Sequence, residues 1–330
     1  MLKVNELFAG IGAFRKALIN LNIPHEVVGI SEIDKHAVKS YEAMYGQTRN
    51  YGDISEIDTL DYADLWTYGF PCQDISIAGL QQGLVKNETR SGLLYEVKRL
   101  LVNSALVDEL PKYLIMENVK NLVGKKFKAD FNKWLDWLSR MGYKNYYQVM
   151  NAKNHGIPQK RERAIVVSIL GSKDFTFPKK QDLNLHLTDL LEEKVERKYY
   201  LSQQTINMLL KEDTGKYTRR QRFLDNITKD DNLSNTVLCR QRCSPTDNYV
   251  KINRKAHVGC IELNAKMYSL RKLTPKECWR LMGFDDEDFI KASKVCSDAQ
   301  LYKQAGNSIV VNVLERIIER LLYEDSLGGD

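Results

Sequence analysis

Residues 3–21, "KVNELFAGIGAFRKALINL", decide how the chain is read. "KVNELFAG" is a short strand-like run ending in a glycine turn, and "GAFRKALINL" continues with apolar residues at helical spacing. Strand, glycine turn and helix in that order make the opening of an α/β unit. Glycines at 10 and 12 let the backbone approach a ligand closely at the helix start, although "FAGIG" is not the full dinucleotide fingerprint.

The same rhythm continues outward. "HEVVGISEID" is a second strand, followed by the helix "KHAVKSYEAMYG", which Gly46 closes. "RNYGDIS" reads as a third short strand ending at Asp53. "ADLWTYGF" and "PKYLIMENV" are strands, "SGLLYEVKRLLVNSAL" and "FNKWLDWLSRMGY" helices, and "RAIVVSIL" a further strand. Alternation of this kind predicts an α/β fold, a doubly wound and mostly parallel sheet with helices on both faces. Ligands of such sheets bind outside the carboxyl ends of the strands.

From about Phe177 the rhythm breaks into Lys/Arg clusters, short strand-like pieces and polar turns, such as "GKYTRRQRFLDN" and "TVLCRQRCSPTDN". This predicts a second, smaller domain over 178–270. A catalytic and cofactor-binding domain is expected over 1–177 plus 306–330, with 271–305 connecting the two. "LTPKECWRLMGF" resumes helix, and "LYKQAGNSIVVNVLERIIERLL" reads as a loop leading into an amphipathic helix.

Composition narrows the function classes. The chain has 330 residues, 43% hydrophobic and 28% charged, which is ordinary for a soluble globular protein of one large domain or two domains of unequal size. No apolar run approaches the roughly 20 residues of a membrane span, and the N-terminus lacks a signal-peptide pattern, so a cytoplasmic location is expected. The net charge of +6 permits nucleic-acid binding without requiring it. Six cysteines are too sparse for a disulfide scaffold. Cys239 and Cys243 lack a second pair at zinc-ligand spacing, so no metal is expected.

Several residues sit where chemistry is expected. Cys72, in "GFPCQ", follows a strand at a turn that Pro71 stiffens, where a thiol is accessible as a nucleophile. The glycine-punctuated stretch from Gln73 to Thr89 has the look of a closing loop. Glu117 and Asn118 end an apolar strand. Glu32 ends the second strand, where an acidic residue can bind ribose hydroxyls. Arg161 and Arg163 alternate at the entry to a strand, which places them on one face, suited to a phosphate or a base oxygen. Each of these alone is also compatible with a cap, a surface charge or a packed thiol.

Taken in order, F-A-G-I-G, S-E-I-D, G-D-I, G-F-P-C-Q, M-E-N-V, Q-K-R-E-R, R-K-L-T-P-K-E-C-W-R-L-M-G-F and Q-A-G-N-S closely resemble the cytosine-C5 DNA methyltransferases of bacterial restriction–modification systems. The resemblance covers nearly the whole chain except 178–265. It implies S-adenosylmethionine as cofactor, lined by Phe8, Ala9, Gly10, Ile11 and Gly12, with Glu32 on the ribose and Asp53 and Ile54 at the adenine. Ile33 stands where relatives often carry an aromatic residue against the adenine. Leu94 is implied at the methionine end, and Asn307 and Ser308 complete the pocket.

For the chemistry it implies Cys72 attacking C6 of an extruded cytosine, Glu117 at N3, Arg163 at O2, and Arg161 on a phosphate or on the closing loop. Pro71, Gln73, Ser76 and Asn118 are implied around the base. The variable segment is implied to read DNA: Asn235–Thr236–Val237 matches a threonine landmark, with Thr236 at the DNA and Arg240, Gln241 and Arg242 as base readers. Arg219, Arg220 and Arg222 are read as phosphate contacts or plain surface.

The implied partner is double-stranded DNA, met by a monomer. A cognate restriction endonuclease is compatible, though not in a stable complex, and no membrane is involved. Three other readings stay open: an RNA cytosine methyltransferase of the same fold, a catalytically dead DNA-binding shell, and a nicotinamide-dependent oxidoreductase, which has no need of P-C-Q or E-N-V.

Overall fold

A computed structural model describes residues 1–71, 90–211, 218–227, 232–240, 243–253, 255 and 257–323. In chain order the elements are β1 (Leu2–Leu7), α1 (Ala13–Asn20), β2 (His25–Ser31), α2 (Lys35–Tyr45), β3 (Leu65–Tyr68), α3 (Leu94–Leu106), β4 (Tyr113–Val119), α4 (Lys128–Arg140) and β5 (Tyr143–Asn151). Then come β6 (Gln159–Lys160), β7 (Glu162–Leu170), α5 (Gln203–Leu209), α6 (Arg219–Ile227), β8 (Ser234–Asn235), β9 (Tyr249–Asn253), β10 (Cys260–Leu263) and β11 (Lys266–Lys272). Four helices follow: α7 (Pro275–Arg280), α8 (Asp286–Ser293), α9 (Asp298–Asn307) and α10 (Val311–Tyr323).

The chain divides into two compact units. The first comprises Met1–Asn151, Glu162–Lys180 and Ile309–Asp330; the second comprises Ala152–Arg161 and Gln181–Ser308. The stretch 271–305 therefore belongs to the second unit, where it forms the end of β11 and helices α7, α8 and most of α9.

The first unit is built on a six-stranded sheet in the order β2-β1-β3-β4-β7-β5. β2, β1, β3 and β4 run parallel, while β7 is antiparallel to both β4 and β5. The parallel strands are short apolar runs: β3 is buried throughout and β4 over its first four residues. β1 lies between β2 and β3, so the chain reverses its winding direction there, the usual place for a ligand crevice. α1 packs against α10, whose Val311, Leu314, Ile317, Ile318 and Leu321 repeat at helical spacing and are all buried.

Register decides what the carboxyl edge presents. Leu7 pairs with Ser31 and with Tyr68, and Tyr68 pairs with Met116. The next residues on the four strands, Phe8, Glu32, Gly69 and Glu117, therefore stand level with one another, while β4 alone continues to Val119 against β7. Glu32 and Glu117 stand three strand spacings apart, roughly 14 Å.

The second unit holds the antiparallel sheet β10-β11-β9, the parallel pair β6-β8 and helices α5 to α9. Leu201, Ile206, Leu209, Phe223, Ile227, Tyr249, Ile261 and Leu270 form its separate core. α7 begins as its sequence prescribes: Pro275 is the first helical residue, and Thr274 and Glu277 form a reciprocal capping box. Glu277 also takes a bidentate ion pair from Arg271 in the interior, with N–O distances of 2.8 and 2.7 Å.

Three sequence expectations are corrected. "RNYGDIS" is not a strand: Asn50 makes a single bridge to Ile30, Gly52 takes a φ of 79°, and Asp53 caps a 3-10 turn over Ile54–Glu56. "LYKQAGN" is not a loop but the body of α9. β5, absent from the sequence reading, forms the sheet edge beyond β7.

Candidate active site

The first part of the site is the turn after β1. Phe8, Gly10 and Gly12 all take positive φ, at 57°, 58° and 75°. Gly10 and Gly12 adopt this region without strain, whereas Phe8 is an uncommon case for a side chain of its size. A Cβ built on Gly10 meets nothing within 4 Å, so the space above it is open. Glu32 is fixed beside it: Gly10 N–H donates to Oε2 and Asp34 N–H to Oε1, both at 2.8 Å. A carboxylate has about four acceptor positions, so both oxygens keep capacity for a ligand's hydroxyls. Burial raises the Glu32 pKa above its ordinary value, and the backbone N–H groups of Asp34, Gly10 and Ile33 oppose that shift.

Asn50, missed in the sequence, pins this carboxylate's backbone. Its Oδ1 accepts from Glu32 N–H at 3.2 Å and from Gly52 N–H at 3.0 Å, and its amide donates to Glu32 O at 2.9 Å. An asparagine two residues before a glycine was the available signal. Asp53 accepts from Ser55 N–H and Oγ. Ile33 is 69% exposed, an apolar surface next to Glu32. Ile11, Ile54 and Leu94 are buried in the core, so their side chains back this region rather than face outward. Open space at Gly10, exposed Ile33 and a fixed carboxylate together fit a nucleoside with free ribose hydroxyls.

The second part lies on β3, β4 and β7. Glu117 and Arg163 form an ion pair, with Nε 2.9 Å from Oε1 and side chains only 13% and 18% exposed. Asn118, almost wholly buried, donates from its amide to Phe70 O at 3.1 Å. That bond ties the end of β4 to the segment entering Pro71. A Cβ on Gly69 would lie 3.5 Å from Glu117 Oε2, so this segment passes close to the carboxylate. Cys72, Gln73 and Ser76 lie outside the described residues, as does the rest of the loop to Thr89.

The remaining predicted residues belong to the second unit. Arg161 is 3% exposed. Its guanidinium donates to three backbone carbonyls: Val237 at 3.0 Å, Gly306 at 2.9 Å and Ser308 at 2.7 Å. The expectation that it shares a face with Arg163 and grips phosphate is corrected. The strand is interrupted between Lys160 and Glu162, and Arg161 N–H turns back to Gln159 O at 2.9 Å. Gln159, also overlooked, accepts from Val237 N–H and donates to Leu281 O.

Thr236 donates its hydroxyl to Lys160 O at 2.7 Å, within the β6–β8 pairing. Asn307 ends α9 and Ser308 is its cap residue. Arg240 is exposed, while Gln241 and Arg242 lie outside the described residues. Cys239 and Cys243 are free thiols, and no metal-holding cluster occurs among the described residues. Nor is any helix among them long and apolar enough to cross a membrane.

The chain is similar to known proteins over nearly its whole length. The model of the C-5 cytosine-specific DNA methylase family matches residues 2–323. Type II methyltransferase M2.ScrFI of Lactococcus lactis subsp. cremoris is 39% identical, over 97% of this chain and 99% of that protein. Type II methyltransferase M.NlaX of Neisseria lactamica is 33% identical, over 97% and 96%. Among solved structures, the Entamoeba histolytica methyltransferase EhMeth superposes with a TM-score of 0.76 at 20% identity, covering 100% of this chain and 99% of that one, which supports the fold.

Proposed function

We propose, for a chain that belongs to the C-5 cytosine-specific DNA methylases, that it methylates C5 of a cytosine extruded from duplex DNA through a transient bond to Cys72. The observation that carries this reading is the Glu117–Arg163 pair, level in the sheet with the glycine turn and Glu32, and tied through Asn118 to the segment that leads into Cys72.

In this reading the Phe8–Gly12 turn, Glu32, Ile33 and Asp53 hold S-adenosylmethionine. When bound, the cofactor supplies an electrophilic methyl group for C5. The protein's own residues make C5 able to take it. The Cys72 sulfur, as thiolate, bonds to C6, and the ring electrons move toward C5. Glu117 donates a hydrogen bond or proton at N3, offsetting the charge that this attack places on the ring. Arg163 orients the Glu117 carboxyl through Nε and offers its remaining N–H groups to the base O2. After transfer, water or another base takes the C5 proton, the S–C6 bond breaks, and Cys72 leaves as thiolate.

The base must be out of the stack for any of this, which costs a few kcal/mol. Contacts of the protein with the extruded base, for which Pro71, Gln73, Ser76 and Asn118 are the candidates, offset that cost. Thr236, Arg240, Gln241 and Arg242 serve DNA recognition in the second unit. The role in the cell is protection of DNA from a cognate endonuclease, performed by a monomer.

The test is a duplex oligonucleotide library with 5-fluorocytosine at the target position, incubated with protein and cofactor. A cofactor-dependent covalent adduct mapped to Cys72, absent in Cys72→Ser, is the expected result. Labelled methyl appearing in tRNA and not in duplex DNA would transfer the same chemistry to an RNA substrate and overturn the DNA reading.

A further inference from the structure

Behind the glycine turn lies a buried polar network that the mechanism does not use. Glu6, the residue before the last of β1, is 1% exposed. Its Oε2 accepts from the Tyr41 hydroxyl at 2.5 Å and its Oε1 from Arg15 N–H, in the first turn of α1, at 3.0 Å. The Arg15 guanidinium packs over the rings of Tyr41 and Tyr45, 5.5 and 5.1 Å from their centres, and donates to Thr48 Oγ1 at 3.0 Å. Tyr45 donates its hydroxyl to Gly12 O at 3.1 Å.

The two rings also occupy the space a side chain at position 12 would need. A Cβ there would lie 2.6 Å from Tyr41 Cε2 and 2.7 Å from Tyr45 Cε2. The turn is thus held on its inner side by one carboxylate and two tyrosines from α2, while its outer side at Gly10 is open. Burying Glu6 raises its pKa, and the Tyr41 and Arg15 N–H bonds oppose that shift. A carboxylate kept in the interior at this cost fits a positional task better than a purely stabilising one.

We infer that Glu6, Tyr41 and Tyr45 are positioning residues for the cofactor turn, holding Phe8–Gly12 in its left-handed geometry so that S-adenosylmethionine meets a formed site. The inference rests on the cofactor reading above. None of the three touches the ligand; each acts through Gly12 or through the start of α1. Their loss falls on cofactor affinity and on KM for the cofactor, not on the transfer step once the site is filled.

The test measures calorimetric Kd for S-adenosylhomocysteine, the demethylated product, together with ligand-free melting temperature and the single-turnover rate at saturating cofactor. Tyr45→Phe removes the bond to Gly12 and keeps the ring, and Glu6→Gln keeps shape while losing the charge. Each is expected to raise Kd about five- to tenfold, the loss of one buried hydrogen bond, with the saturated single-turnover rate within about twofold.

Tyr143→Phe is the control. It loses a buried hydroxyl bond of similar kind, to Pro111 O at 2.7 Å, on a strand away from the turn. It is expected to lower the melting temperature and leave Kd unchanged. Variants that melt lower, as the control does, with Kd unmoved would overturn the positioning role. If Glu6→Gln does not fold, Tyr45→Phe decides. If the wild-type protein itself binds no S-adenosylhomocysteine, the cofactor reading fails, an outcome distinct from equal binding by wild type and variants.

Discussion

Arg163 Nε sits 2.9 Å from Glu117 Oε1, and both side chains are largely withdrawn from water. The antiparallel pairing of β4 with β7 places Val119 opposite Arg163, so the arginine reaches back along the sheet to the carboxylate two residues earlier. A half-buried pair of this kind fixes the carboxylate's direction more than it stabilises the fold. Glu117→Gln keeps the shape and removes the acid. It should reduce the single-turnover rate by about 10²- to 10⁴-fold, the usual worth of a general acid, and leave Kd for S-adenosylhomocysteine unchanged. Arg163→Lys retains charge but loses the planar fork, and should fall between wild type and Arg163→Ala. Rapid-quench assays on a duplex substrate measure all three.

Arg161, only two residues away, behaves differently. Its three carbonyl partners come from the threonine landmark and from the end of α9. Removing a buried charged donor leaves three carbonyls without it, and hydrogen bonds to charged groups contribute about 1.5–3 kcal/mol each. Arg161→Met should therefore lower unfolding free energy by at least about 3 kcal/mol in urea titrations. A phosphate contact would instead lower the salt dependence of DNA affinity by about one counterion. Unchanged stability with a reduced salt slope would restore the phosphate role.

The contrast shows what the sequence makes legible. β1, the glycine turn, α1, β3 and β4 announce themselves because apolar runs and glycine punctuation are local signals. Glu32 and Glu117 stand out as candidates for the same reason: each stands at the end of such a run. β5 was missed because an edge strand, "YKNYYQVMN", buries few residues and carries no apolar alternation. Arg161 was misplaced because period-two reasoning assumes an unbroken strand, and the break after Lys160 comes from pairing with Ser234–Asn235, more than seventy residues away. The stretch "LYKQAGN", with Gly306 in it, read as a loop for a related reason. Its glycine answers a contact, not a bend.

That contact supports a sharp expectation. A Cβ at Gly306 would lie 2.1 Å from Cys239 N, 2.4 Å from Cys239 Cα and 2.4 Å from Leu238 C, all of them backbone. Backbone cannot swing aside as a side chain does. Gly306→Ala must push residues 238–239 away from α9, an overpacking that costs typically 1–3 kcal/mol. The melting temperature should fall although alanine is the better helix former. Gly10→Ala would meet no such contact, and its cost should come from the positive φ alone. Paired thermal melts of the two variants check the distinction.

The pH dependence of cofactor binding tests Glu32. Its pKa lies above the ordinary glutamate value, chiefly because burial disfavours the charged form. In the proposed cofactor reading ribose hydroxyls donate to the carboxylate, so affinity should fall as pH drops through that raised value. Stability runs the other way. A carboxyl whose folded pKa is raised contributes stability that is full below its unfolded value and lost as pH rises through the folded one. Glu6, raised for the same reason, adds to that trend. On mild acidification from neutrality, Kd for S-adenosylhomocysteine should therefore rise while these two groups make the ligand-free fold no less stable, which separates loss of an acceptor from acid unfolding. Glu32→Gln should bind about 10²-fold more weakly, the loss of a charged acceptor's hydrogen bonds, with this pH dependence flattened. Calorimetry from pH 4.5 upward, over roughly the span where a raised carboxyl titrates, reads both. A Kd for wild type that stays level across that span would remove Glu32 from the cofactor site.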